Sequence, residues 1–153
     1  MHTEFLQQAI DLAENNVHTG NGGPFGAILC RDEKIIATCS NNVTYNNDPT
    51  AHAEIMAIRA ACTELNTFQL TEIFYGSWSL ARGPGPLWAR FKKGFISPNR
   101  YDAAQAGFDD GFIYEQIAMR PEKRKIPMQH LQLNQSLNPF IAWRAGKKNF
   151  PFW

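Results

Sequence analysis

The feature that most constrains this fold is a break in the chain. Gly20, Gly22, Gly23 and Pro24 cluster together, and the spacing of apolar residues changes across them. Before the break, Leu6, Ala9, Ile10, Ala13 and Val17 recur at three- and four-residue steps, the stripe of an amphipathic helix, with Thr3 as its cap. After it, Phe25 to Arg31 and Ile35 to Asn41 read as two strands around the turn Asp32-Glu33-Lys34. A polar loop runs from Asn42 to Asp48. Asp48 and Pro49 then read as a cap and first-turn proline for a helix with Ala51, Ile55, Ile58, Cys62 and Leu65 on one face. Strands are expected at Thr71–Tyr75 and Gly94–Ser97. Short helices are expected at Asp102–Gly107 and Asp109–Ala118, and a last helix at Ser136–Lys147, capped by Ser136. Helices mixed with strands at this density predict an α/β fold, a three-layer α/β/α sandwich around a mixed sheet, with residues 1–153 as one domain.

Composition narrows the function. The chain has 153 residues, 44% of them hydrophobic and 19% charged, which excludes a compositionally disordered chain. A net charge of +1 leaves no strong overall footprint for nucleic acid. The basic cluster Arg120, Lys123, Arg124 and Lys125 contains Glu122 and reads as a solvated face. Cys30, Cys39 and Cys62 are odd in number and sit in apolar segments, which argues against a disulfide scaffold and for a cytoplasmic setting. The apolar runs are too short to span a bilayer, and the first residues lack a signal-peptide pattern.

The chemistry lies in Pro49-Thr50-Ala51-His52-Ala53-Glu54. A His followed two residues later by Glu at a helix start can place an imidazole and a carboxylate at one mouth. Zinc deaminases use that pair, with the His as ligand and the Glu as proton shuttle. On spacing alone, a solvated helix start reads as well. His2, His18 and His130 have no partner spacing and read as surface residues.

Beyond this pair, the chain resembles the bacterial guanine deaminases of the cytidine deaminase-like superfamily over nearly its whole length. The resemblance runs through Gly22-Gly23-Pro24-Phe25-Gly26-Ala27, Asn41-Asn42-Val43-Thr44, Asn47 to Glu54, Ala57-Ile58-Arg59, Trp88-Ala89-Arg90 and Asp102-Ala103-Ala104. It continues in Ala106-Gly107-Phe108-Asp109-Asp110, which separates this branch from cytidine and tRNA-adenosine deaminases, then in Phe112-Ile113-Tyr114 and Pro139 to Arg144. The resemblance implies hydrolysis of guanine to xanthine and ammonia with a Zn2+ cofactor. It implies His52 as metal ligand, Glu54 as proton shuttle and Asp110 as a second acid toward the guanine amino group. It also implies Asn41 on the purine edge and Phe25 and Trp88 on the ring faces. Each residue has a plainer reading: Asn41 ends a strand, Phe25 and Trp88 fill the core, Asp110 caps a helix. The resemblance further implies a homodimer that exchanges a C-terminal segment, about residues 119–153, although the tail Asn149 to Trp153 departs from the family's ending.

One part of the pattern is missing. The family follows its next strand with Ser-Cys-Glu-Pro-Cys-Pro-Met-Cys, whose last two cysteines complete the metal site. Here the stretch reads Ser77-Trp78-Ser79-Leu80-Ala81-Arg82-Gly83-Pro84-Gly85-Pro86, without cysteine and with a Gly-Pro repeat that resists helix. A catalytic zinc needs three protein ligands, and Cys39, which shares strand parity with Asn41, adds at most one. Without zinc, water keeps a pKa far above neutrality instead of one of about 7. If codons for the family motif lose the third base of the first Cys codon, the new frame can read Ser-Trp-Ser-Leu-Ala-Arg, as in Ser77 to Arg82. This suggests a compensated frameshift; a drifted non-catalytic paralogue is the alternative. Three functions are therefore in play: a guanine deaminase, a purine-binding or dimer-forming protein without catalysis, and a nucleic-acid deaminase. Near-neutral charge and the Ala-Gly-Phe-Asp-Asp run oppose the third. The replaced stretch is expected to loosen the fold between Trp78 and Pro86.

Overall fold

The structure is a computed structural model, and it describes residues 2–78, 85–97 and 99–146. The chain divides into two compact units, Met1–Asp110 and Gly111–Trp153.

The first unit is built on a mixed four-stranded sheet. Helix α1 (His2–His18) leads into the hairpin β1 (Gly26–Arg31) and β2 (Lys34–Ser40). After α2 (Val43–Asn46) and α3 (Ala53–Leu65) come β3 (Phe74–Trp78), α4 (Gly85–Trp88), β4 (Lys93–Ile96) and α5 (Arg100–Gln105). The strand order is β2-β1-β3-β4. Strand β1 is antiparallel to both neighbours, and β3 is parallel to β4.

Strand β1 is buried from Gly26 to Cys30, because it is covered on both faces. Ala27 and Leu29 pack in one cluster with Ala53, Ala57 and Ala61 of α3. On the other face α1 comes so close that a Cβ on Gly26 would stand 2.3 Å from the Ala9 carbonyl oxygen. Only glycine fits there. With α1 on one face and α3 on the other, the expected layering is present. The hairpin turns on Asp32 and Glu33, with φ of 48° and 64°. Two successive positive φ values match the twist of the flanking strands.

Several expected boundaries move, each for a local reason. Thr3 lies inside α1, which already includes His2. The stripe of α1 is rotated. Ala9 and Ala13 are fully buried, so the face toward the sheet continues to Asn16 and turns Val17 outward. The polar loop after β2 contains the one-turn helix α2. Asp48 caps no helix: α3 starts at Ala53 with His52 at its N-cap, and Asp48 closes a turn onto Thr50. The buried face of α3 is Ala53, Ala57 and Ala61 with Glu54, because small side chains permit the closest approach to the sheet. Ile58, Cys62 and Leu65 flank it, partly buried. Strand β3 begins three residues later than expected, after a turn at Thr71 and Glu72. Asn99 and Asp102 form a reciprocal capping box, so α5 starts before Asp102.

Gly85 and Pro86 belong to a helical turn, although the Gly-Pro repeat is expected to resist helix. Proline in a first turn loses an N–H that has no intrahelical partner there anyway. Gly85 is buried under Ile55 and Ile58 of α3, whose Cδ1 atoms would stand 2.7 and 3.2 Å from an added Cβ. The expected loosening otherwise falls on residues 79–84, which lie outside the described residues.

The second unit carries α6 (Gly111–Ala118), a 3-10 turn at Pro121–Lys123 and α7 (Asn138–Ala145). Helix α7 is shorter than expected. Ser136 does not cap it: the Ser136 hydroxyl donates to the Leu133 carbonyl and accepts from the Leu133 N–H. Ile126, Leu131, Leu133, Leu137, Phe140 and Ile141 of this unit are all exposed.

Candidate functional site

Backbone hydrogen bonds assemble the site. The Asn41 N–H donates to the Phe25 carbonyl at 2.9 Å, which ties the end of β2 to the start of β1. The Asn42 N–H donates to the Ala51 carbonyl at 3.0 Å, which ties the same segment to the residue before His52. Two staples thus bring Phe25 and Asn41 to the N-terminal end of α3, where His52 and Glu54 sit. Phe25, Asn41 and the His52–Glu54 pair come from three separate stretches of the sequence.

Each side chain has a distinct setting. His52 is half-buried in extended conformation, and its ring makes no capping bond to α3. Glu54 lies in the first turn of α3 and is 5% exposed. A carboxylate there is favoured by the helix dipole. Asn41 is also 5% exposed. Its Oδ1 accepts from the Val43 N–H at 3.2 Å, while its Nδ2 meets no acceptor among the described residues. A buried amide N–H without a partner costs about 1–3 kcal/mol, so this donor is suited to a ligand's acceptor.

Phe25 is half-buried, and its ring meets Phe108 edge to face, with centroids 4.9 Å apart. Phe108 belongs to the Ala-Gly-Phe-Asp-Asp run, so that run reaches the site through this contact. Asp110 follows two residues later and is half-buried. Trp88 is 61% exposed at the end of α4. That excludes the plain reading of Trp88 as a core aromatic.

The loop before His52 is held from outside. Asp48 Oδ1 accepts from both the N–H and the hydroxyl of Thr50 at 2.8 Å. Arg59 donates to the Thr50 hydroxyl at 3.3 Å and lies 3.9 Å from the Asp48 carboxylate. The Thr50 hydroxyl and N–H hold the Asp48 carboxyl below its usual pKa, with Arg59 and His52 adding to this.

The donor set does not suit a catalytic zinc. Three protein ligands are needed. Among the described residues no three His, Cys, Asp or Glu side chains are placed to hold a metal ion. From Ser77 to Trp88 the chain contains no Cys, His, Asp or Glu at all. Cys30 is buried in β1, and Cys39 and Cys62 pack against the core cluster. Burial pushes all three thiols up, away from the thiolate that a metal requires.

Sequence reading missed Asn16, Gly22 and the pairing of Phe25 with Phe108. A signal existed for Asn16. It continues the Ala9, Ala13 stripe one turn further, where a polar residue is out of place unless it is bonded. For Gly22 the neighbour is Asn41, and only the folded chain brings the two together.

Comparison with known proteins places the chain in a family. Residues 1–77 match the family model described as the cytidine and deoxycytidylate deaminase zinc-binding region. The guanine deaminase of Bacillus subtilis (strain 168) is 47% identical, over 97% of this chain and 99% of that protein. The tRNA-specific adenosine deaminase of Aquifex aeolicus (strain VF5) is 43% identical over 41% of each chain. The X-ray structure of guanine deaminase from Bacillus subtilis superposes with a TM-score of 0.97 at 42% identity, over 100% of this chain and 99% of that one.

Proposed function

Since this chain belongs to the cytidine and deoxycytidylate deaminase family, and within it to the guanine deaminases, we propose that it binds guanine in the family's pocket with little or no deamination. The donor set carries this reading. The motif that supplies two sulfur ligands in the family is replaced here, and the chain's three thiols are core groups. His52 is left as a lone imidazole, Glu54 has no activated water to deprotonate, and zinc is absent or weakly held.

The binding half of the site supports retention of the purine. Asn41 offers an amide donor that meets no acceptor among the described residues, Phe25 is braced by Phe108, and Asp110 lies two residues beyond Phe108 for the guanine amino group. Trp88 is exposed and free to cover a ring face. Purine stacking and a buried amide bond act without a metal. No helix of the described residues is long and apolar enough to cross a membrane, and the expected setting is the cytoplasm.

The partner is a second copy of this chain, joined through residues of about 119–153. Supporting this, the second unit exposes Ile126, Leu131, Leu133, Leu137, Phe140 and Ile141, too much apolar surface for a unit this small to leave in water. The tail Asn149 to Trp153, which departs from the family's ending, lies outside the described residues.

Elemental analysis and equilibrium dialysis test the reading on the same preparation. The expected result is well under one zinc per chain, guanine bound, and no ammonia released. One zinc per chain with turnover of guanine overturns it. A variant rebuilt with the family's Ser-Cys-Glu-Pro-Cys-Pro-Met-Cys is expected to gain both metal and turnover. The regular codon relation across Ser77 to Arg82 also favours a compensated frameshift as the origin of the change. Independent clones with an unambiguous in-frame Trp78 to Pro86 segment would exclude a sequencing error.

A further inference from the structure

We propose that Asn16, on α1, is the positioning residue of the purine pocket, an assignment that rests on the guanine-binding reading above. Asn16 is 3% exposed and stands where the helix stripe calls for an apolar side chain. Its Nδ2 donates to the Gly23 carbonyl at 2.9 Å and to the Asn41 carbonyl at 2.8 Å. These bonds close a circuit. The Asn41 N–H donates to the Phe25 carbonyl at 2.9 Å, and the Phe25 N–H donates to the Gly23 carbonyl at 2.8 Å. Gly23, Phe25 and Asn41 are thus held by one ring of four hydrogen bonds, and Asn16 supplies two of them.

Without Asn16 the ring opens at the Asn41 carbonyl, the end that carries the ligand-facing amide. Asn42 remains tied to Ala51, so the end of β2 pivots on that staple and Asn41 is no longer fixed opposite Phe25. Asn16 touches no ligand. It acts through the backbone of Asn41 and Phe25, and its loss weakens binding while α1 keeps its packing on the sheet through Ala9 and Ala13.

The test uses Asn16→Leu, close in shape but without donors. A second variant, Ile28→Val, is a packing control in β1. Guanine affinity is read by equilibrium dialysis with labelled base, and exchange of the Asn41 and Phe25 amides by NMR. In Asn16→Leu, Kd is expected to rise at least tenfold and both amides to exchange at least tenfold faster. Ile28→Val is expected to keep Kd within twofold despite some loss of Tm. If the wild type binds and Asn16→Leu binds within twofold of it, the positioning role is wrong and the guanine-binding reading stands. Equal weakening in both variants makes Asn16 a mere stability residue and overturns the proposal. If the wild type binds no guanine, the reading under which Asn16 was assigned fails, and the assignment fails with it.

Discussion

Gly22→Ala is expected to cost more at the site than its single methyl suggests. An added Cβ would stand 2.2 Å from the Asn41 carbonyl oxygen, 3.0 Å from Asn16 Nδ2 and 3.1 Å from the Asn41 carbonyl carbon. Two of these atoms are backbone, so no rotamer change relieves the contact. Overpacking of this kind costs about 1–3 kcal/mol. Displacing the Asn41 carbonyl also removes the Asn16 hydrogen bond, worth about 1 kcal/mol. The expected loss is therefore about 2–4 kcal/mol in urea denaturation. For a chain of this size that is a Tm lowered by roughly 4–16 °C. Gly26→Ala is the matched control. Its Cβ meets the Ala9 carbonyl oxygen at 2.3 Å, a comparable clash, but on the α1 face of β1 rather than at Asn41. Both variants are expected to lose stability, and only Gly22→Ala to lose guanine binding by tenfold or more relative to its folded fraction. The reasoning is refuted if Gly22→Ala unfolds within 0.5 kcal/mol (about the scatter of a neutral surface change) of the wild type, or if the two variants bind alike.

Other outcomes follow from the same structure. Thr50→Val removes the hydroxyl that Asp48 accepts, so the Asp48 carboxyl titration, followed by NMR, is expected to move up toward its usual value. The lowered Asp48 pKa stabilises the native state above the ordinary carboxyl range, and that contribution is lost as pH falls through it; an unmoved titration would exclude the Thr50 hydroxyl as its main cause. Burial raises all three thiols, so Ellman's reagent at pH 8 is expected to label native protein much more slowly than urea-unfolded protein. Neutral buried thiols contribute stability that is intact below about pH 8.5 and lost as pH rises through the native pKa; one fast-reacting native thiol would contradict the packing of Cys39 or Cys62. Chelation by EDTA is expected to leave Tm within 1 °C, because a ligand that is not held cannot stabilise the native state by about 3–4 kcal/mol; a large fall would mean that a metal is bound. Ile126→Glu combined with Leu131→Glu is expected to give a monomer by light scattering, and an unchanged dimer would place the interface elsewhere.

Much of this protein was legible without coordinates. The change of apolar period at Gly20 to Pro24 and the turn chemistry at Asp32 and Glu33 place a helix and a hairpin in order, because local backbone preferences suffice for that. His52 and Glu54 stand two residues apart and share one helix start wherever that helix packs. The absence of sulfur ligands between Ser77 and Trp88 is likewise a property of the residue types alone. Other features depend on which distant segments meet. Asp48 reads as a helix cap, yet Thr50 captures its carboxylate and α3 starts four residues after Pro49. The apolar stripe of α1, read from the sequence, includes Val17, yet the close approach at Gly26 rotates the helix and buries Asn16. A broad apolar stripe fixes a helix's facing only loosely, and only close-packed contact with the sheet settles it. That rotation, set by tertiary packing, carries the Asn16 amide to the carbonyls of Gly23 and Asn41 and so shapes the pocket.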